Sequence, residues 1–233
     1  MPTLFHFPST GTPTVSPAFD AGWEQTGQAV RLWMPRATMD DAVSAKTNSA
    51  AITVPNTTTQ QILCYQFISR DVFVPFRFDA SHVFAMCIRG LESALTANVF
   101  LAYVLRCLAA DGNNTVLGTL SSSMTNAGTE FVATAETRIF GNGVTTVALS
   151  ALTCGVPFRL VLEVGGHAQA PSAAGSYTYR TGVDAGGNFT LTSGLTTDFN
   201  PFMYTTADLG TTRLQNFMAP RSTGLSIGSG SAR

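Results

Sequence analysis

Apolar side chains recur at every second position through most of the middle of this chain, the period of an extended strand with one buried face. The clearest case runs from Pro157 to Gly182. Phe158, Leu160, Leu162 and Val164 fall on one face, and Arg159, Val161 and Glu163 on the other. After a Gly/Ala/Pro/Ser loop, Tyr177 and Tyr179 resume the alternation against Thr178 and Arg180. The pattern predicts a hairpin punctuated by Gly165, Gly166 and Gly175. Antiparallel pairing then sets Glu163 opposite Arg180 on the outer face, an exposed pair worth at most ~1 kcal/mol. The apolar face is incomplete alone and needs a second sheet to cover it.

Upstream segments supply candidates for that sheet. Residues 62–69 alternate Leu63, Tyr65 and Phe67 against Ile62, Cys64 and Ile68. Residues 72–78 set Val72, Val74, Phe76 and Phe78 on one face, with Pro75 removing a ladder donor and predicting an edge or a bulge. Phe84, Met86 and Ile88 share a face in 82–89. Residues 98–109 are apolar on both faces; Val99, Phe100, Tyr103 and Val104 favour a buried central strand over a helix. DGNN at 111–114 and GNG at 141–143 read as turns. Weaker strands are expected at 115–120, 130–135, 138–140 and 144–149, and GGNFTLTSG offers one more. About nine strands separated by regular turn signals predict an all-β fold, an antiparallel, jelly-roll-like β-sandwich.

The ends differ from the middle. Residues 1–35 read as an extended N-terminal arm: Pro2, Pro8, Pro13 and Pro17 interrupt regular structure, while Phe5, Phe7, Phe19 and Trp23 offer apolar anchors to its own domain or a neighbour. The arm ends in a short strand around Ala29–Met34. Residues 36–209 form the sandwich domain. The one helix start signal, Thr38 before Asp40 and Asp41, opens a short stretch to Ser49, and TVPNTTTQ reads as loop. Residues 210–233 form a polar C-terminal tail whose GSGSAR end has the composition of a disordered segment.

Charge narrows the function. Charged residues are 12% of the chain and the formal net charge is −1, so no long-range field draws nucleic acid or anionic lipid. The same neutrality weakens protection against self-association and suits an assembly subunit, or equally a soluble domain rich in Thr and Ser. Of 13 basic residues only Lys46 is lysine, so edge strands need protection by other means. The start lacks the basic and apolar regions of a signal peptide, and no run of about 18 apolar residues predicts a membrane span. Cys64, Cys87, Cys107 and Cys154 match no zinc spacing; buried thiols are expected, with a cross-strand bond open if two of them are neighbours.

The run from Arg159 to Gly165, the segment Tyr177 to Gly182 and the turn and strand Asn200 to Tyr204 resemble a stretch in uncharacterised β-sandwich virion proteins of tailed bacteriophages and prophages. The opening, with Trp23 at the matching place, resembles the start of such proteins, and most of residues 3–208 is covered. The resemblance implies a virion structural product, made in the host cytoplasm, and carries no catalytic residue. Its partners are expected to be other virion proteins, of capsid or tail, and copies of itself, through contacts at Phe5, Phe7 and Phe19 in the arm and Leu214, Phe217, Met218 and Leu225 in the tail. Decoration or reinforcement of a repeating virion surface is the expected role.

No motif of enzymatic chemistry competes with that reading, and no catalytic residue, cofactor or metal is expected. His6, His82 and His167 are scattered: one in the arm, one at a strand start beside Asp79, one in a Gly/Ala loop. A glycan hydrolase needs two carboxyls converging at ~5 to ~9.5 Å. Asp71 and Asp79 flank one strand at opposite ends, and Glu163 points outward. Asp111 with Asn113 and Asn114 lacks the following Glu of a calcium loop and reads as a turn. The alternative is a carbohydrate-binding module of a tail or head fibre acting in host attachment, which needs an exposed aromatic platform.

Overall fold

A computed structural model describes residues 3–36, 44–125, 130–133, 137–140, 147–155, 157–183 and 200–210. In chain order its strands are β1 (Thr3–His6), β2 (Val30–Met34), β3 (Ser44–Asn48), β4 (Ile52–Val54), β5 (Gln60–Ser69), β6 (Phe76–Phe78), β7 (Val83–Glu92) and β8 (Val99–Ala109). There follow β9 (Val116–Ser123), β10 (Thr137–Phe140), β11 (Val147–Ala148), β12 (Leu152–Cys154), β13 (Phe158–Ala168), β14 (Gly175–Val183) and β15 (Phe202–Thr205). The fold is an all-β sandwich. One sheet runs β2-β5-β13-β8-β9, antiparallel except for the parallel β2–β5 pair. The larger sheet runs β1-β15-β7-β14-β3, with β10 and β11 also on β7 and β4 also on β14; β6 and β12 form a separate pair. Ser44–Asn48, in the later part of the stretch with the helix start signal, is an edge strand, while Thr38, Asp40 and Asp41 lie outside the described residues; the loop read at 53–60 includes the end of β4. The expected strand in 186–194 lies outside the described residues.

The alternation in 158–164 is confirmed: Phe158, Leu160, Leu162 and Val164 enter the core between the sheets. The hairpin is not. β13 pairs with β5 and β8, whereas β14 pairs with β7, β3 and β4. The connection is therefore an arch that carries the chain from one sheet to the other. Alternation fixes which side chains point inward but is blind to which sheet a strand joins.

The two sheets are stitched by tyrosines. Tyr177 and Tyr179 of β14 are buried, as the alternation required. Tyr177 Oη donates to Ile62 O at 2.6 Å and accepts from Gly166 N–H at 3.1 Å; Tyr179 Oη donates to Gly165 O at 2.7 Å. All three backbone groups flank a bulge, where Val164 faces Tyr65 and Gly165 faces Leu63, leaving Cys64 as the extra residue of β5. The bulge also shifts the phase of β5. Ile62 and Cys64, then Tyr65 and Phe67, face the core, and Leu63 and Ile68 face away, correcting the strict alternation expected there. Tyr177→Phe leaves a buried carbonyl and N–H without this hydroxyl and is expected to lower stability by about 1–3 kcal/mol, read from the urea unfolding midpoint.

The outer face of the five-stranded sheet is also covered, because residues of the arm lie across it as a third layer. Trp23, with Phe19 and Ala29 of the arm and with Met124 beyond β9, packs on Leu63, Ala102 and Val104; Val15 packs with Trp33, on the outer face of β2 itself, against Ile68, Leu108 and Val161. This explains why β8 is apolar on both faces. Main-chain bonds hold the layer down, including Leu63 N–H to Gln25 O at 2.8 Å and Trp33 N–H to Gly11 O at 2.9 Å. At the far end of the arm, β1 pairs with β15, and Phe5 bridges Arg36 just beyond β2. The edges of the two sheets are thus joined at one corner. Lys46, the sole lysine, sits on the edge strand β3. Cys107 and Cys154 meet sulfur to sulfur between β8 and β12. Cys64 is a buried thiol, pushed up to about 12 by loss of solvation.

Candidate functional site

Among the described residues the densest polar constellation is built around Glu163, in the middle of β13 and fully buried. Its face is outward, as the alternation predicted, but the arm closes over it, so the expected exposed pair with Arg180 does not exist; Arg180 is on the other sheet. Glu163 Oε1 accepts from Arg106 Nη2 of β8 and from Gln66 Nε2 of β5 at 2.9 Å. Oε2 accepts from Trp23 Nε1 at 2.7 Å and from Asp20 N–H at 3.1 Å. Arg106 Nη2 also donates to Ala18 O at 2.8 Å, and Gln66 Nε2 to Pro17 O at 3.3 Å. Arg31 Nε donates to Gln66 Oε1 at 2.8 Å while its guanidinium lies 4.1 Å from the centre of the Phe19 ring. Every donor here belongs to the sheet or to the arm. The constellation is a clamp that fastens residues 17–23 to the sheet, and it holds both carboxylate oxygens in bonds that leave none for a substrate.

The other candidates are separate from it. Arg159, on the same outer face, donates to Asp71 Oδ1 from Nε at 3.0 Å and to Asn114 Oδ1 from Nη1 at 2.7 Å, tying two loops to the start of β13. Asp79 is engaged by its own turn: it accepts from Ser81 Oγ at 2.5 Å and Ser81 N–H at 2.9 Å, which lowers its pKa, with a smaller contribution from His82 Nδ1 at 3.1 Å. Asp111 accepts from Thr115 Oγ1 at 2.7 Å and Asn113 N–H at 3.0 Å, the bonds of a polar turn. His167 lies on β13 rather than in a loop; burial pushes its pKa down and Gln61 Nε2 sits 3.2 Å from Nδ1. Among the described residues no three His, Cys, Asp or Glu side chains converge as metal ligands.

The arm contacts need a correction. Phe5 and Phe7 are 0% exposed, inside the chain's own core, with Phe7 stacked on Phe67 at 4.3 Å. Their alternation with Leu4 and His6 is that of a strand in the large sheet, so neither ring is presented to a neighbour. Phe19 is half-buried against the same sheet as Trp23. Leu214, Phe217, Met218 and Leu225 lie outside the described residues. Among the described residues the large apolar side chains that face solvent are Phe73 (66%), Leu95 (63%), Val116 (51%) and Val30 (48%). Sequence reasoning passed over Phe73, although its signal was present: Val72, Val74, Phe76 and Phe78 occupy one face of that segment, which leaves Phe73 on the other. In sequence Phe73 lies two residues from Asp71 and Val116 two residues from Asn114, both partners of Arg159.

The geometry thus defines an all-β sandwich whose outer face is sealed by its own N-terminal segment. No family model matches the chain, and no curated protein matches it. Among solved structures it is similar to that of infectious bursal disease virus Gx strain, at 13% identity and TM-score 0.25, over 84% of this chain and 41% of that one. The Gt strain structure is similar at 14% identity and TM-score 0.25, over 72% of this chain and 38% of that one. A D431N mutant of the VP2 protein of the same virus, in derived T=1 particles, is similar at 13% identity and TM-score 0.24, over 71% and 36%. The chain spans about two fifths of the length of the chains it matches. Among the described residues no helix is long and apolar enough to cross a membrane.

Proposed function

We propose that this chain is a structural subunit of a virion that decorates or reinforces a phage capsid or another repeating virion surface through protein–protein contacts. The observation that carries the reading is the scarcity of surface charge. A surface that must stay in solution typically carries about 25–35% charged residues. Here the whole chain has 13 basic and 14 acidic residues, and Arg89, Glu92, Arg106, Arg159 and Glu163 are buried. What faces outward is largely Thr, Ser, Ala and Gly, with Phe73, Leu95, Val116 and Val30 exposed among them. Such a surface is protected by being covered, and copies of the same chain or other virion subunits are the partners that would cover it. The resemblance of residues 159–165, 177–182 and 200–204 to phage sandwich proteins supports the same role. With Phe5 and Phe7 in the core, residues 210–233 are the remaining candidate clasp, acting at high effective concentration once a subunit is docked.

The test is the mass of the purified chain by analytical ultracentrifugation, alone and mixed with particles stripped of it, compared with a chain ending at residue 210. Trimers or larger forms, or saturable rebinding, are expected for the full chain, with weaker assembly and an intact sandwich for the shortened one. A monomer that ignores the particles overturns the proposal. Phe73 favours the second reading, a carbohydrate-binding module, because an exposed aromatic ring is the platform such a module needs. The two tryptophans do not help it, since Trp23 is buried and Trp33 is half-buried against the sheet.

A further inference from the structure

Glu92 ends β7 at the margin of the sandwich and is 0% exposed. Its Oε2 accepts from Val99 N–H, at the start of β8 in the opposite sheet, at 3.1 Å. Its Oε1 meets no donor among the described residues. Beside it runs a short strap. Phe131 N–H donates to Val99 O at 2.9 Å, and Glu92 N–H donates to Val132 O at 3.3 Å, so the strap bonds to both sheets at once. Phe131 fills the space over Gly90, where an added Cβ would lie 2.7 Å from the ring, and stands edge-on to Tyr179 at 5.4 Å. Glu130, on the strap, bridges Phe100 of β8.

We propose that Glu92 is a proton-controlled latch: as a carboxylic acid it keeps the 130–132 strap closed between the sheets, and as a carboxylate it loosens that strap. The physical reason is the unmatched oxygen. A buried carboxylate with one bonded and one bare oxygen is far costlier than the neutral acid, and the cheapest relief is to let water in past the strap. The titratable groups facing it are Glu130 on the strap and Tyr177, its register partner on β14, with Tyr179 two residues further on. The turn Leu95–Ala97 and the first residues of β8 bring none. Neither tyrosine supplies a compensating charge, since burial raises both phenols well above their usual value. Burial, opposed by the Val99 N–H and joined by a smaller repulsion from Glu130, pushes the Glu92 carboxyl up to about 7. A carboxyl raised in the folded state contributes stability at acid pH that is lost as pH rises through its folded value.

Amide hydrogen exchange at Phe131 and Val132, corrected for the intrinsic pH dependence, tests this on the full chain. Protection is expected to be constant below about pH 4.5, to fall by up to about tenfold per pH unit from there to about pH 7, the limit for one linked proton, and to level off above it. Glu92→Gln is expected to abolish that dependence. Glu130→Gln, which removes the repulsion and keeps the latch, is expected to retain it with a lower midpoint. Flat protection in the unaltered chain, an unchanged profile in Glu92→Gln, or an unmoved midpoint in Glu130→Gln overturns the proposal. The Glu130 variant keeps it falsifiable if the Glu92 variant does not fold.

Discussion

Glu163→Ala is expected to destabilise the sandwich by about 3–5 kcal/mol, the cost of removing one partner from a buried ion pair. The loss exceeds that of an ordinary pair because four donors converge on this carboxylate: the Arg106 guanidinium, the Gln66 amide, the Trp23 indole and the Asp20 main chain. All remain in place when it is removed, and Arg106, 3% exposed, keeps a charge whose nearest remaining carboxylate is Asp20, at 3.9 Å from Nε. Replacing Glu163 and Arg106 together by Leu and Met removes the bare charge but still strands the Trp23 and Asp20 donors, so only partial recovery is expected. Urea unfolding measures the stability. Limited proteolysis measures the arm, since loosening the clamp should expose residues 17–23 to cleavage before the sandwich unfolds. A variant with an unchanged midpoint and an uncut arm would show that the clamp does not hold the layer.

Gly165→Ala is expected to cost at least ~3 kcal/mol, at or above the upper end for overpacking. An added Cβ would lie 2.2 Å from Ile62 O and 2.6 Å from the Trp23 ring. Neither obstacle yields easily: the carbonyl belongs to the bulged β5 backbone and accepts from Tyr177 Oη, and the indole is fixed by Glu163. Gly27→Ala is the matched control, with nothing within 4 Å of the added Cβ, and is expected to change stability by no more than ~0.5 kcal/mol. Equal midpoints for the two variants would contradict the packing described at the bulge.

Much of the fold was legible because burial on one face writes a period of two into the chain. That period located β13, β14, β5 and β7 and placed Tyr177 and Tyr179 inward; β8, apolar on both faces, was located by its β-branched and aromatic residues instead. It failed where its signal is degenerate. The same residues suit a hairpin or an arch, so the sheet membership of β14 was not readable. The extra residue Cys64 shifts the phase of β5 without any compositional mark. Glu163 looked solvent-facing because the residues that bury it lie some 140 positions away in an arm whose prolines suggested an appendage. Phe5 and Phe7 failed for the same reason: a four-residue strand at the start of a chain carries too little pattern to announce that it completes a sheet on β15. The Glu92 strap was legible only as a weak strand.

The corner where Phe5 meets Arg36 closes one margin of each sheet to strand addition. A sandwich with open margins can grow by adding a neighbour's strand to its own, a contact made of main-chain bonds and indifferent to side chains. Here one margin of each sheet is consumed by the other, β9 receives Ser150 N–H at Leu120 O, and β3 carries the lysine. At these described margins strand addition is blocked or opposed, which leaves side chains and loops to make contact there. Contacts of that kind depend on sequence at each position, so the assembly proposed above would fix a single geometry and could still come apart without unfolding its parts.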